Sequence, residues 1–144
     1  MTDDDSDNGG YPMKAKDTSA LYVDSNYDAD SYRVCSYANN EVIVIKAFTD
    51  EDKAYKFLHK QAKNFNGLYR ADGVYSTDIY LDEKKIKAVR VIENHDELTA
   101  RDLFYKVVAN CDGREFTVLY CSTLTNANGY CNLLKRRFKI KEEK

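Results

Sequence analysis

Residues 46–67, KAFTDEDKAYKFLHKQAKNFNG, constrain the fold most, because they contain the start, the buried face and the end of one helix. Thr49 is a residue type that caps helix N-termini, and the acidic residues that follow it suit the positive end of the helix dipole. Apolar side chains recur at three- and four-residue spacing over residues 54–65, and Gly67 is a typical stop. The pattern predicts an amphipathic helix that packs on a core through one face.

Two β-type segments precede this helix. Residues 32–38 alternate in polarity and residues 41–48 follow after Asn39-Asn40, which suits a tight hairpin turn. The run VIVI at residues 42–45 is apolar at every position, which is typical of a strand that is buried on both faces. We therefore expect this strand in the middle of a sheet.

Further β-type segments follow the helix. Residues 74–81 and 86–93 alternate across a polar link, and they predict a middle hairpin with one solvated face. A third hairpin is predicted across Asp112-Gly113. Residues 125–140 suit a helix capped by Thr125, although Gly129 and three asparagines weaken it and leave a strand as the alternative.

The third hairpin and its tail repeat the pattern of the first hairpin and its helix. Tyr32 aligns with Tyr105, and after a loop three residues longer in the third hairpin Thr49 aligns with Thr125. We predict the α+β class, with a mainly antiparallel sheet built from a duplicated β-hairpin–helix (ββα) unit plus the middle hairpin.

The charge distribution divides the chain. Residues 1–31 carry eight Asp and two Lys, a net charge of −6, whereas the whole chain carries −2, so the remainder sums to +4. The apolar residues of the first part show no period. We predict a disordered acidic leader at residues 1–31 and a single α+β domain at residues 32–144.

Motifs for catalysis, cofactors and metals are missing from the sequence. It has no glycine-rich phosphate loop, no GxSxG elbow, no HExxH and no CxxC pair. A Cys35–His59 nucleophile and a zinc site from Cys111, Cys121 and Cys131 both lack supporting residues. We therefore predict a non-enzymatic protein with no cofactor and no metal.

The same survey bears on location. The first thirteen residues are acidic and lack the apolar core of a secretory signal, and no apolar run approaches the roughly 18 residues of a membrane span. The four cysteines are then expected as free thiols. We predict an intracellular, reducing compartment and no membrane partner.

Two surfaces are candidates for binding. The chain has twelve tyrosines and no tryptophan, and tyrosine suits half-exposed interfaces. The middle hairpin is the candidate protein interface, with an exposed sheet edge that can accept a partner strand. The interface residues predicted there are Tyr75, Tyr80, Val89 and Val91.

Lysines and arginines form the second candidate surface. They recur at helical spacing on the first helix and cluster near the end of the chain, and two equivalent helices side by side would present them to phosphates. A lysine stripe is also what an ordinary amphipathic surface helix carries. The candidate polyanion residues are Lys53, Lys56, Lys60, Lys63, Lys135, Arg136 and Arg137.

Residues 32–65 resemble small, mostly uncharacterised hairpin–helix proteins of large DNA viruses and bacteriophages. The shared pattern is a strand ending in Phe, a Ser/Thr cap, acidic residues, Lys-Ala and an amphipathic helix. The residues that carry it are Phe48, Thr49, Asp50, Glu51, Lys53, Ala54 and Phe57. The resemblance implies a viral accessory or virion-associated protein, in the host cytoplasm or the virion, and it implies no enzymatic activity or site residues.

The sequence therefore predicts a protein-interaction module or a minor component of a larger assembly. Its expected partner is another protein. Non-specific nucleic-acid binding through the basic helix faces is the alternative.

Overall fold

The computed structural model describes residues 18–73, 75–96 and 102–140, which contain eight strands and two α-helices. All strand pairs are antiparallel and lie in two sheets, which confirms the predicted α+β class. The strands are β1 (Ala20–Asn26), β2 (Ser31–Ala38), β3 (Glu41–Phe48), β4 (Leu68–Arg70), β5 (Ile79–Asp82), β6 (Ile86–Glu93), β7 (Tyr105–Cys111) and β8 (Arg114–Cys121), and the helices are α1 (Glu51–Ala62) and α2 (Leu124–Arg137).

Five strands form sheet A in the order β3-β2-β1-β5-β4. Its central strand, β1, belongs to the segment predicted as a disordered leader, so that prediction is wrong from residue 18 onward. Residues 1–17 lie outside the described residues. β1 is ordered because its two faces are both used: Ala20 packs toward sheet B, and Leu21 packs toward α1. The acidic composition, which led to the prediction of disorder, includes Asp24 at the exposed end of β1, where it pairs with Arg33.

The predicted middle hairpin is wrong. β5 pairs with β1 and β4 in sheet A, whereas β6 pairs with β7 in sheet B, whose strand order is β6-β7-β8. A short 3₁₀ helix, Glu83–Lys85, turns the chain between them, and the Asp82 carboxylate accepts a hydrogen bond from the Lys84 amide. The two strands of a hairpin pair with each other in one sheet, whereas the 3₁₀ helix connects β5 in sheet A to β6 in sheet B. Val74, at the start of the predicted strand, is outside the described residues.

The segment before β5 joins the two sheets. The Thr77 amide donates to the Val118 carbonyl at 2.9 Å, and the Tyr120 amide donates to the Tyr75 carbonyl at 3.1 Å. Residues 75–77 therefore pair with the outer edge of β8 before the chain enters sheet A.

The other two predicted hairpins are confirmed. The turn between β2 and β3 has positive φ angles at Asn39 (54°) and Asn40 (67°), and the turn between β7 and β8 has them at Asp112 (54°) and Gly113 (89°). Two consecutive left-handed residues are required by a type I′ turn, and Asn, Asp and Gly adopt that conformation most readily.

The first predicted helix is confirmed as α1, but its cap is one residue later than expected. Asp50 is the N-cap and its side chain accepts from the Asp52 amide at 2.9 Å, so the prediction of Thr49 is wrong. The helix ends at Ala62, five residues before Gly67. Its buried side chains include Phe57 and Leu58.

Residues 124–137 form α2, so the helical alternative holds for this segment. The Thr123 side chain accepts from the Asn126 amide at 3.2 Å, and Thr123 therefore replaces Thr125 as the N-cap. Its buried side chains are Ala127, Cys131 and Leu134.

The helices lie on opposite sides of sheet A. α1 packs in one cluster with Leu21 and Val34. α2 packs in another cluster with sheet B and with Ala20 and Tyr37. Neighbouring residues of a strand point to opposite faces, so Ala20 and Leu21 mark the two sides. The order of layers is therefore α1, then sheet A, then sheet B together with α2.

Two β-β-β-α units share one architecture, namely β1–β2–β3–α1 and β6–β7–β8–α2. A constant difference of 73 residue numbers relates Asn39 to Asp112 and Asp50 to Thr123. The same difference relates the register shift after Val34 to that after Val107. Both turns have two residues, so the three-residue insertion in the predicted alignment is wrong. Duplication of the unit stays a prediction.

Candidate interaction surface

β3 forms an open edge of sheet A. Among the described residues, no strand pairs with its outer side. Val42 and Val44 lie opposite Tyr37 and Cys35 of β2, which are both buried. The two valines are nevertheless each 45% exposed. Sheet B thus covers the neighbouring strand and leaves these β3 side chains in contact with solvent.

This edge corrects the prediction for residues 42–45. The run VIVI is apolar on both faces, but the strand lies at the edge of the sheet because β1, rather than β3, occupies the centre. The half-buried side chains of β3, which include Ile45 and Phe48, pack against the α1 cluster. β3 therefore has apolar side chains that the fold of this chain leaves exposed to solvent.

The main-chain N–H and C=O groups of β3 are arranged so that they can pair with a further strand. Ala38 and Glu41 flank a two-residue turn, where an antiparallel ladder closes with a hydrogen-bonded pair. Bonded and non-bonded pairs alternate along the ladder, so Val42 and Val44 direct their N–H and C=O groups away from β2. Ile45 has no partner in the register, and this bulge ends the regular run of outward groups.

The other sheet edges are short, charged or covered. β4 has only three residues. β6 has a register shift between Ile86 and Ala88, and Lys87 and Arg90 are exposed along it. The outer edge of β8 is paired with residues 75–77. Charges, bulges and short strands are the devices that block strand addition, and β3 lacks charge where its valines are exposed.

An arginine lies next to the cross-strand partner of Val42. The Arg114 guanidinium lies 5.7 Å from the ring centre of Tyr37, the cross-strand partner of Val42, and 5.2 Å from that of Phe116. It also donates a hydrogen bond to the Tyr22 hydroxyl at 3.1 Å. Arg114 therefore covers the aromatic rings between the two sheets.

The structure does not bring the predicted interface residues together. Tyr75 is 51% exposed in the segment that pairs with the outer edge of β8, and Tyr80 is half-buried in β5. Val89 is only 4% exposed, and Val91 packs against the same core. The prediction of a common accessible face is wrong because β5 and β6 belong to different sheets.

The basic residues are also divided. Lys53, Lys56 and Lys60 are exposed on α1 and Lys63 is exposed at its C-cap, whereas Lys135, Arg136 and Arg137 lie on α2, across sheet A. Arg137 pairs with Glu83 at 2.8 Å and stacks 4.6 Å from the centre of the Tyr69 ring. The arrangement of two basic helices side by side is therefore wrong.

A polar cluster links α1 to sheet A. His59 Nδ1 and the Tyr80 hydroxyl share a hydrogen bond of 2.7 Å, and Arg70 donates to Asp78 at 2.6 Å. Burial, followed by the Arg70 charge, lowers the pKa of His59, although Asp78 acts in the opposite direction. The cluster links the helix to β5, and the lowered pKa favours the neutral form of the imidazole.

The cysteines are all buried and free. Burial raises the pKa of Cys35 to about 11 and that of Cys111 to about 12, so both are protonated thiols at neutral pH. Cys35 pairs with Tyr22 on the sheet B side of sheet A, whereas His59 contacts Tyr80 on the α1 side. The two cannot form a nucleophile–base pair.

Within the described ranges, no group of three or more His, Cys, Asp and Glu side chains is arranged to hold a metal ion. No helix in this part of the chain is long and apolar enough to cross a membrane. No family model, no curated protein and no solved structure matches this chain.

β3 was not predicted as an open edge of the sheet, because β1 was not predicted. The signal for β1 is the run Ala-Leu-Tyr-Val at residues 20–23, which is long enough to place one apolar side chain on each face. With β1 predicted, β2 would be expected to pair with β1 on one side and β3 on the other. β3 would then be expected at the edge of the sheet.

Proposed function

We propose that this protein is an interaction module that binds a partner protein by adding a strand to β3. The observation that carries the proposal is the exposure of Val42 and Val44 on a strand whose outer main-chain groups have no partner strand among the described residues. A partner strand would satisfy those groups and cover the valines, which is how β-strand addition combines affinity with specificity.

The proposal retains the predicted function class and changes the surface. The middle hairpin is replaced by β3, where both the main chain and the side chains favour pairing. The contrast with β6, where Lys87 and Arg90 are exposed along the edge, supports the assignment.

The experiment compares Val44→Pro with Val44→Thr. Proline removes the outward amide but none of the bonds to β2, whereas threonine keeps the amide and the branched shape. Tagged protein is used to capture partners from the native source after nuclease treatment. We expect the proline variant to capture at least about tenfold less partner than wild type, and the threonine variant to capture a similar amount to wild type.

Hydrogen exchange supplies a second readout on the captured complex. The amides of Val42 and Val44 should become protected when the partner binds. Equal capture by both variants, together with unprotected amides, would show that β3 is not the binding edge.

Polyanion binding is the second candidate, and the observation in its favour is the exposed lysine row on α1. Four lysines on one helix face can neutralise at most about four phosphates, so the slope of log K against log salt should not exceed about −4. Lys56→Glu should weaken binding and flatten that slope. Binding that is insensitive to salt would exclude this function.

A further inference from the structure

We infer that the strand accepted by β3 is β3 of a second copy of this chain. This inference rests on the proposed function, because it names the partner for the same edge. Most homo-oligomers close around a two-fold axis, which requires a surface that is complementary to itself. The sequence of β3 and its placement in the sheet meet that requirement.

Geometry limits how two β3 strands can pair. A two-fold axis perpendicular to the sheet makes the strands antiparallel and keeps each face continuous, so opposite residues must have the same parity along the chain. The outward main-chain groups belong to Val42 and Val44, before the bulge at Ile45. Pairing Val42 with Val44 of the second copy uses both residues and leaves the bulge at the end of the ladder.

This register also matches the side chains. Val42 and Val44 of each copy form two cross-strand pairs on the face where they are now 45% exposed. On the other face, Ile43 lies opposite Ile43 of the second copy. Side chains directly opposite each other across a ladder are in contact, so the exposed apolar surface of one copy covers that of the other.

The charges at the two ends of the strand are complementary. β3 begins at the exposed Glu41, and Lys46 lies on the α1 side of its far end, with Nζ 5.6 Å from the centre of the Phe57 ring. In this register Glu41 of each copy lies opposite the bulge of the other, where Ile45 and Lys46 share one level of the ladder, so Glu41 lies beside Lys46 on the α1 side of the joined sheet. Opposite charges at both ends favour this register over parallel alignment of the same strands.

The test is a charge-swap experiment read by analytical ultracentrifugation. Wild-type protein should show a concentration-dependent monomer–dimer equilibrium. Glu41→Lys alone places lysine beside Lys46, and Lys46→Glu alone places glutamate beside Glu41, so each should raise the dimer Kd by about tenfold. An equimolar mixture of the two variants should form a heterodimer, because both contacts then join opposite charges.

The mixture separates the inference from an effect on folding, since a misfolded variant would not be rescued by another variant. A wild type that stays monomeric across the concentration range would overturn the inference. A dimer that neither variant weakens would also overturn it, by assigning the contact to another face. Either result leaves the proposed function to be judged separately by the Val44→Pro capture, which detects any partner strand at β3.

Discussion

The Tyr37 hydroxyl donates a hydrogen bond of 2.6 Å to the main-chain carbonyl of Asp112, which joins sheet A to the turn of sheet B. The Asp112 carboxylate also contacts the sheet A side: it accepts hydrogen bonds from the Asn39 amide at 2.6 Å and from the Ser19 hydroxyl at 2.7 Å. The two type I′ turns are thus fastened to each other at one end of the sheets.

Asp112→Asn should lower the free energy of unfolding by about 1–2 kcal/mol at neutral pH, because it removes the charge that two donors contact. Burial acts to raise the pKa of Asp112, but the hydrogen bonds from Asn39 and Ser19 and the nearby Lys85 charge outweigh it, and the net pKa is lowered. The stabilisation is therefore present above the ordinary aspartate pKa near 4 and is lost as the pH falls through the folded pKa.

Urea unfolding of wild type and Asp112→Asn between pH 2 and pH 7 measures this difference. The exposed Asp28, changed to Asn, is the control. A difference that stays constant down to the acid limit would contradict the role of the Asp112 charge.

Helix caps give a second prediction. Asp50→Ala and Thr123→Ala should each lower the free energy of unfolding by about 1 kcal/mol, because each side chain accepts a hydrogen bond from an otherwise unsatisfied amide. Thr49→Ala and Thr125→Ala are matched controls, one residue before and two residues after these caps, and should cost less than about half of that. Thermal unfolding of the four variants ranks them, and equal losses at Thr49 and Asp50 would show that the cap is misassigned.

Thiol reactivity gives a third prediction. Burial raises the pKa of Cys35 to about 11, so about one thiol in a thousand is ionised at pH 8, and burial restricts access as well. Native protein should react slowly with a disulfide reagent, and all four cysteines should react rapidly in denaturant. A cysteine modified within seconds in the native state would contradict the burial described for these side chains.

The polar cluster at α1 gives a fourth prediction, on pH. The folded state lowers the pKa of His59, chiefly by burial, so the unfolded chain takes up the proton first as the pH falls. Stability should therefore decrease below about pH 6.5, the ordinary histidine pKa. The effect should stay below about 1 kcal/mol, because the side chain is 33% exposed.

His59→Gln should remove this component from the pH dependence of unfolding. His95→Gln is the matched control, because that side chain is 81% exposed. An unchanged slope in His59→Gln would show that other groups set the pH dependence.

Local sequence signals predicted the elements whose structure is decided locally. The two type I′ turns depend on Asn39-Asn40 and Asp112-Gly113, whose residue types readily adopt positive φ. α1 was found from its apolar spacing. Its cap was missed by one residue, because Thr49 and Asp50 are both capping residue types and only the backbone geometry selects between them.

Long-range pairing was not predictable from the same signals. β5 and β6 each alternate in polarity like the arms of a hairpin, and only their partners, β1 and β7, assign them to different sheets. The interface prediction for Tyr80 and Val89 depended on that hairpin and failed with it. The open β3 edge likewise follows from the position of β1 rather than from the residues of β3.

The central position of β1 has a consequence for the order of events on the ribosome. β1 pairs with β2 within a few residues, but its other partner, β5, is synthesised about sixty residues later. A nascent β1–β2–β3–α1 unit would therefore expose two strand edges, and among the described residues only the β1 edge is later paired, by β5. The β3 edge, at which strand addition is proposed, is therefore synthesised before β5, the strand that completes the pairing of β1.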